Sequence, residues 1–187
     1  MKKNKLKSSL VFVVVVCLLF LLGFPLSMLM GEKQGKVVLD EKVSLPFEVD
    51  EKKKIVLLYF GYAGCQTICA PSLKEIEIIY KEVEATKKVV FYFINIAEEA
   101  GDLDAFVHYF HKDFVGLNLS LKERQGLMNE LRAYSSEPLS ENGEISHTGY
   151  LYMIKQKSKQ DFELKAMYYT RPFNKKIIVS DVYKELK

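Results

Sequence analysis

Two cysteines four positions apart, Cys65 and Cys69, are the side chains of this sequence best suited to chemistry. They follow a short apolar run, residues 55–60, and stand at the start of a segment with helical periodicity. On successive turns of a helix their Cβ atoms would lie about 5–6 Å apart, within reach of a disulfide or of one metal ion. A helix N-terminus favours the thiolate, which is both the nucleophile and the metal ligand. The pair therefore predicts redox exchange or soft-metal binding, and two small buried thiols with a packing role are the alternative.

A third ligand would complete a trigonal site for a soft ion such as Cu(I), and the chain has three histidines. His147 lies in residues 145–150, where a loop is predicted to enter a strand. In the fold that the order of strands and helices predicts below, that junction abuts the thiol loop, so His147 is the candidate third ligand. A hydrogen-bonded surface or core histidine is the alternative. His108 and His111 are three positions apart on a predicted helix and would share a face. Two such histidines can bind a metal, but they are more typically solvated side chains.

The elements that must position these residues follow from the hydrophobic pattern. Strands are predicted over residues 55–60, 89–96, 148–154 and 162–168, the last two as a hairpin around a charged turn. Helices are predicted over residues 69–85, 102–112, 122–134 and 175–186. This is a β-α-β unit followed by a β-β-α unit, which predicts a thioredoxin-like α/β sandwich of three layers. We expect a mixed central sheet with helices on both faces, and Met153 and Met167 packed in its core.

The N-terminus carries a separate signal. Residues 10–30 contain no charged side chain and would span about 31 Å as a helix, enough to cross a bilayer. Four lysines precede them, so we expect residues 1–9 to be a cytoplasmic basic tail and residues 10–30 a transmembrane anchor. Residues 31–50 would form a tether with short strands, and residues 51–187 the thioredoxin-like domain. A cleaved signal peptide is the alternative, and the globular part is exported in either case. Cys17, within the apolar run, is interpreted as a lipid-facing or packed thiol.

The charge distribution agrees with this division. The chain has a formal net charge of +3, and its first nine residues hold four lysines, so the remainder carries −1. No dense lysine and arginine patch with interleaved aromatic residues is present, which excludes nucleic-acid binding as a predicted function. We therefore expect a single-pass protein of a bacterial inner (cytoplasmic) membrane, in contact with lipid through its anchor. Its soluble domain would face the periplasm or the cell exterior.

Two segments carry a resemblance to a known family. Residues 61–73, Gly-Tyr-Ala-Gly-Cys-Gln-Thr-Ile-Cys-Ala-Pro-Ser-Leu, resemble the Cys-X-X-X-Cys segment of the Sco/SenC proteins. Residues 146–154, Ser-His-Thr-Gly-Tyr-Leu-Tyr-Met-Ile, resemble the distal Asp-His-Ser/Thr segment of that family. The resemblance covers roughly residues 40–187. It implies a copper chaperone or thiol–disulfide reductase for assembly of the binuclear copper centre of cytochrome c oxidase, with Cu(I) or Cu(II) held by Cys65, Cys69 and His147.

The sequence departs from the family pattern in three places. Gln66 and Ala70 replace the prolines that usually follow each cysteine, and Thr67 stands where the loop usually has an acidic residue. Ser146 replaces the aspartate before the distal histidine, so a carboxylate that would orient the ligand is missing. The stretch after the second strand, residues 95–99, also differs. These departures indicate a divergent member.

Three functions follow from the cysteines and the resemblance. The first is a membrane-anchored copper chaperone whose client is the copper-site subunit of cytochrome c oxidase, or another copper or thiol client. The second is a thiol–disulfide oxidoreductase that reduces client cysteines, in which Cys65 attacks and Cys69 resolves. The third is a copper or redox sensor that binds without transfer.

Overall fold

The computed structural model describes residues 35–65, 67–98, 101–136 and 145–187 of the chain. Its strands are β1 (Lys36–Val43), β2 (Ile55–Gly61), β3 (Val89–Asn95), β4 (Phe114–Leu117), β5 (Leu151–Ser158) and β6 (Asp161–Tyr168). Its helices are α1 (Cys69–Val83), α2 (Leu103–His108), α3 (Leu121–Glu130) and α4 (Lys175–Glu185), and a 3₁₀ turn (Glu84–Thr86) extends α1.

The six strands form one mixed sheet in the order β1-β6-β5-β2-β3-β4. Strand β2 pairs in parallel with β3 and antiparallel with β5, and β4 pairs in parallel with β3. Every residue of β2 and β3 is buried, as their continuous apolar sequences predict for central strands. Helix α1 makes the crossover between β2 and β3, so the carboxyl end of β2 leads straight into the dithiol segment.

The sheet is covered on both faces. Alternate residues of β2, among them Leu57 and Tyr59, pack in one cluster with α1, α2 and α4. Their neighbours Leu58 and Phe60 pack in a second cluster on the other face, against α3. The predicted thioredoxin-like three-layer arrangement is thus confirmed. Each fully buried large apolar side chain contributes about 1.5–3 kcal/mol, so these clusters supply the rigid base on which the site stands.

Several element boundaries differ from the prediction. Helices predicted over residues 102–112 and 122–134 are shorter, because α2 ends at His108 and the chain after α3 turns at Arg132, whose φ is +55°. Strand β4 was not predicted, since four residues carry too little pattern. The β5–β6 hairpin is confirmed, but its strands run on to Ser158 and from Asp161, so the turn is shorter than expected.

The two predicted methionine positions lie in the core. Met153 is buried in the cluster with α1, and Met167 is half-buried against the cluster with α3, which confirms the packing interpretation.

Strand β1 joins the sheet through antiparallel pairing with β6. The expected basic tail and anchor, residues 1–9 and 10–30, lie outside the described residues. Among the residues that are described, no helix is both long enough and apolar enough to cross a membrane. The division of the chain at residue 51 stays a prediction.

Candidate metal centre

Two glycines shape the loop that carries the thiols. Gly61 ends β2, and a Cβ atom there would lie 2.7 Å from the sulfur of Cys69 and 2.8 Å from the ring of Phe93. Gly64 has φ of +96°, a conformation that side chains other than glycine rarely adopt. The glycines therefore allow the chain to turn sharply after β2 and to bring the Cys69 thiol against the end of the strand.

The two cysteines occupy different positions relative to α1. Cys69 is the first residue of the helix, whereas Cys65 lies in the turn before it. The two cysteines therefore do not lie on successive turns of one helix, contrary to the prediction from their spacing. The residue at the N-cap position, Ile68, has no side chain that caps the helix. Instead the sulfur of Cys65 accepts a hydrogen bond of 3.4 Å from the N–H of Cys69. A helix N-terminus thus points directly at the Cys65 sulfur and favours its thiolate.

The thiols differ in their readiness to ionise. The hydrogen bond from the Cys69 thiol lowers the pKa of Cys65 far below its ordinary value, against the opposing effect of burial. The His147 side chain and the N–H groups of Cys69 and Ile68 add smaller effects in the same direction. The same hydrogen bond, together with burial and the charge on Cys65, raises the pKa of Cys69. Of the two thiols, Cys65 therefore ionises more readily than Cys69.

His147 reaches the thiols from the other side of the loop. Its main chain forms an antiparallel bridge with Ser135, and the N–H of Thr148 donates to the carbonyl of Tyr134 at 2.9 Å. These bonds hold the segment before β5 in place, with Nε2 of His147 at 3.4 Å from the sulfur of Cys69. The rings of Tyr59 and Tyr62 lie edge-on to the imidazole, at 6.4 and 6.1 Å between centroids.

The imidazole of His147 presents Nε2 to the thiols. Its Nδ1 lies 3.2 Å from the carbonyl oxygen of Thr148. A carbonyl only accepts, so Nδ1 carries a proton, and Nε2 is the nitrogen placed to bind a metal beside the sulfurs. The Thr148 carbonyl therefore orients the imidazole, the role for which the sequence lacks a carboxylate at position 146. Ser146 itself is exposed, and its own carbonyl accepts a hydrogen bond from the N–H of Ser136.

The structure brings the three predicted site residues together. One ligand atom from each of Cys65, Cys69 and His147 lies within 4.8 Å of the others, and all three side chains are buried, at 2%, 0% and 8% exposure. Ligand bonds of about 2.0–2.3 Å, the lengths found for sulfur and nitrogen at zinc, place two ligands of one ion up to about 4.5 Å apart. Two sulfurs and one imidazole nitrogen at this spacing fit a soft ion.

The other two histidines are not arranged for this chemistry. His108 is the exposed last residue of α2 and His111 lies beyond the helix, so the predicted shared face is wrong. Nε2 of His111 lies 3.1 Å from the Glu84 carboxylate, and the Asp113 carboxylate is also close. However, Nδ1 of His111 accepts a bond from the N–H of Asp113, so Nε2 carries the proton and donates to Glu84. A metal at Nε2 would require the opposite tautomer.

Sequence reasoning missed one residue beside the centre, Arg171. Its guanidinium donates to the carbonyls of Ile68 and Gly149, which belong to the thiol loop and to the histidine segment. The only signals in the sequence were its rarity, as one of three arginines, and the proline that follows it. Neither indicates a contact with residues more than twenty positions away.

Comparison with known sequences identifies a family. The SCO1/SenC family model matches residues 46–181. The mitochondrial SCO2 homolog of Danio rerio is 30% identical over 108 residues, which cover 53% of this chain and 39% of that protein. The human mitochondrial SCO2 homolog is 26% identical over 126 residues, which cover 63% of this chain and 47% of that protein. The chain thus spans less than half the length of these two relatives.

Comparison with solved structures shows a shared fold. Arabidopsis thaliana ScoI with copper bound superposes with a TM-score of 0.61 at 22% identity, over 79% of this chain and 97% of that chain. A SCO1/SenC family lipoprotein from Bacillus anthracis superposes with a TM-score of 0.63 at 19% identity, over 83% and 99% of the two chains.

Proposed function

The chain belongs to the SCO1/SenC family, and on that premise we propose that it is an exported copper-binding protein. It delivers copper to the binuclear copper site of cytochrome c oxidase, or assists assembly of that site. The observation that carries this proposal is the buried set of two cysteine sulfurs and the Nε2 of His147 that faces them. The solved ScoI structure of Arabidopsis thaliana, which shares the fold, contains copper.

Copper is the cargo of this proposal, and Cys65, Cys69 and His147 hold it. The pKa of Cys65 is lowered and that of Cys69 is raised, so Cys69 is the thiol that must release its proton when copper binds, and loading weakens as the pH falls. Cys65 is also the slightly more exposed of the two residues. A thiolate of the client therefore displaces Cys65 first, and copper passes across by stepwise exchange of ligands.

The membrane context is part of the proposal. The apolar residues 10–30 and the four lysines before them support a single-pass anchor in a bacterial inner membrane, with the soluble domain facing the periplasm or the cell exterior. One protein of the same fold, from Bacillus anthracis, is a lipoprotein, which also supports a site of action at a membrane surface.

The asymmetry of the two thiols favours a second function, thiol–disulfide exchange. The Cys65 thiolate attacks a client disulfide and releases one client thiolate, which leaves a mixed disulfide. Cys69 then loses its proton and attacks the sulfur of Cys65, so the second client thiolate leaves and a Cys65–Cys69 disulfide remains. Two electrons pass to the client, and its thiolates take up protons from solvent. This activity complements copper delivery, because a client must be reduced before its thiols bind copper.

A transfer experiment separates these functions. The reduced protein is loaded anaerobically with one Cu(I), mixed with the metal-free copper-site domain of cytochrome c oxidase, and separated by chromatography before the copper is measured. Copper delivery predicts that the ion moves to the oxidase domain. Retention of the ion on this chain indicates a sensor. No copper uptake, together with reduction of an oxidised oxidase domain, indicates a reductase and rejects the copper proposal.

A further inference from the structure

One guanidinium joins the two halves of the candidate metal centre. A terminal nitrogen of Arg171 donates to the carbonyl of Ile68 at 3.1 Å, and the other donates to the carbonyl of Gly149 at 2.6 Å. Ile68 directly precedes Cys69, and Gly149 lies two positions after His147. The side chain therefore fixes the main chain beside one sulfur ligand to the main chain beside the nitrogen ligand.

The guanidinium belongs to a closed ring of hydrogen bonds. Arg171 also donates to the hydroxyl of Tyr59 at 2.7 Å, and that hydroxyl donates to Ser72 at 3.3 Å. Ser72 in turn donates to the carbonyl of Ile68 at 2.5 Å, the same oxygen that Arg171 binds. Tyr59 and Ser72 are fully buried, so the ring is rooted in the core. Only the flat, forked guanidinium has donors in the directions that this ring requires.

The position of the guanidinium is also set by packing. It lies 5.7 Å from the ring centroid of Tyr59 and 5.3 Å from that of Phe173, within the range of cation–π attraction. A Cβ atom on Gly149 would lie 1.9 Å from its terminal nitrogen, so this approach is open only to glycine. A single methyl group at position 149 would therefore displace the guanidinium from this place, although the protein would keep the positively charged arginine.

We propose that Arg171 is a positioning residue for the centre of Cys65, Cys69 and His147, and that its charge stabilises the reduced dithiol and its Cu(I) complex. This inference rests on the proposed function for its copper part. Two thiolates and one Cu(I) sum to one negative charge, whereas a disulfide carries none, so a nearby cation favours the reduced and Cu(I)-loaded forms.

The test uses two independent measurements on the full chain, in a Cys17→Ser background. Cu(I) affinity is measured anaerobically against a competing chelator. The Cys65–Cys69 dithiol is also equilibrated with glutathione, in which formation of the disulfide reduces one glutathione disulfide to two glutathione thiols. The variants are Arg171→Gln, Arg171→Lys and Gly149→Ala. Arg124→Gln is the matched control, because that guanidinium also donates to a main-chain carbonyl, but to that of Ala97.

We expect Arg171→Gln to weaken Cu(I) binding about 10-fold or more, because the loss of a residue that supports metal ligands has an effect of this size. The variant should also shift the glutathione equilibrium several-fold toward the disulfide. Gly149→Ala should weaken Cu(I) binding similarly. Arg171→Lys should keep the glutathione equilibrium near that of the wild type, because it keeps the charge, but should not restore Cu(I) affinity. If Arg171→Gln does not fold, the lysine and alanine variants decide the question.

The inference would be overturned if both Arg171→Gln and Gly149→Ala had Cu(I) affinities and glutathione equilibria within twofold of the wild type. Equal losses in Arg124→Gln would also overturn it. The glutathione measurement contains no copper. If the wild-type protein takes up no Cu(I), the proposed function fails, and the shift of the dithiol equilibrium still decides the role of Arg171.

Discussion

The sulfur of Cys69 lies 3.4 Å from Nε2 of His147, although 78 positions separate the two residues in the chain. This contact exists because β2 and β5 are neighbours in the sheet, so the loop that leaves β2 meets the segment that enters β5. The Thr148 carbonyl then fixes the proton on Nδ1, which leaves Nε2 free to face the sulfur. The sheet topology and one main-chain bond together bring two distant side chains into contact.

The lowered pKa of Cys65 predicts an alkylation profile. In a Cys17→Ser background, the metal-free reduced protein should react with iodoacetamide at pH 6 at a rate close to that at pH 8. The reason is that a thiol with a depressed pKa is already ionised above that pKa, whereas a free cysteine, with a pKa of about 8.5, loses its reactivity through this window. Mass spectrometry of the labelled peptide identifies the site.

One variant and one contrary outcome complete this alkylation test. Cys65→Ser should abolish the labelling at pH 6, because burial still raises the pKa of Cys69 when the effect of Cys65 is lost. A rate for Cys65 that falls about 100-fold between pH 8 and pH 6, as for a free thiol, would show that the helix N-terminus and Cys69 do not stabilise the thiolate.

The left-handed conformation of Gly64 predicts a loss of stability on substitution. Gly64→Ala should lower the free energy of unfolding by about 1–3 kcal/mol, because φ at this position is +96° while the space around it is open. Gly126→Ala is the matched control. It lies within α3 with open space around it, so alanine there should raise stability by about 0.4–1 kcal/mol. Urea denaturation followed by circular dichroism measures both, and equal effects in the two variants would contradict the account.

The bond between His147 and the Thr148 carbonyl predicts that a carboxylate at position 146 adds little. Ser146→Asp should change Cu(I) affinity by less than about 3-fold, since Nδ1 already has its hydrogen-bond acceptor and residue 146 is exposed. Competition with a Cu(I) chelator provides the measurement. A gain of 10-fold or more would mean that the carbonyl is a poor substitute for the carboxylate usual in the family.

The sequence predicts those parts of the molecule whose structure follows from the pattern of neighbouring residues. The buried strands, α1 and the placement of Cys65 and Cys69 at a strand-to-helix junction follow from periodicity and glycines. His147 required the fold as well, because its partner lies on another element. Arg171 was not predictable, since its partners are mainly backbone carbonyls, which every residue has. The shared face of His108 and His111 failed because α2 stops at His108, where tertiary packing outweighs helical propensity.

The most direct test of the metal centre is the Cu(I) affinity of His147→Ala compared with that of His108→Ala. Both variants remove an imidazole, but His108 is exposed on α2, so it controls for nonspecific copper binding. Anaerobic chelator competition should give one tightly bound Cu(I) for the wild type and for His108→Ala, and an affinity at least about 10-fold weaker for His147→Ala. A folded His147→Ala protein that binds Cu(I) as tightly as the wild type would contradict the account.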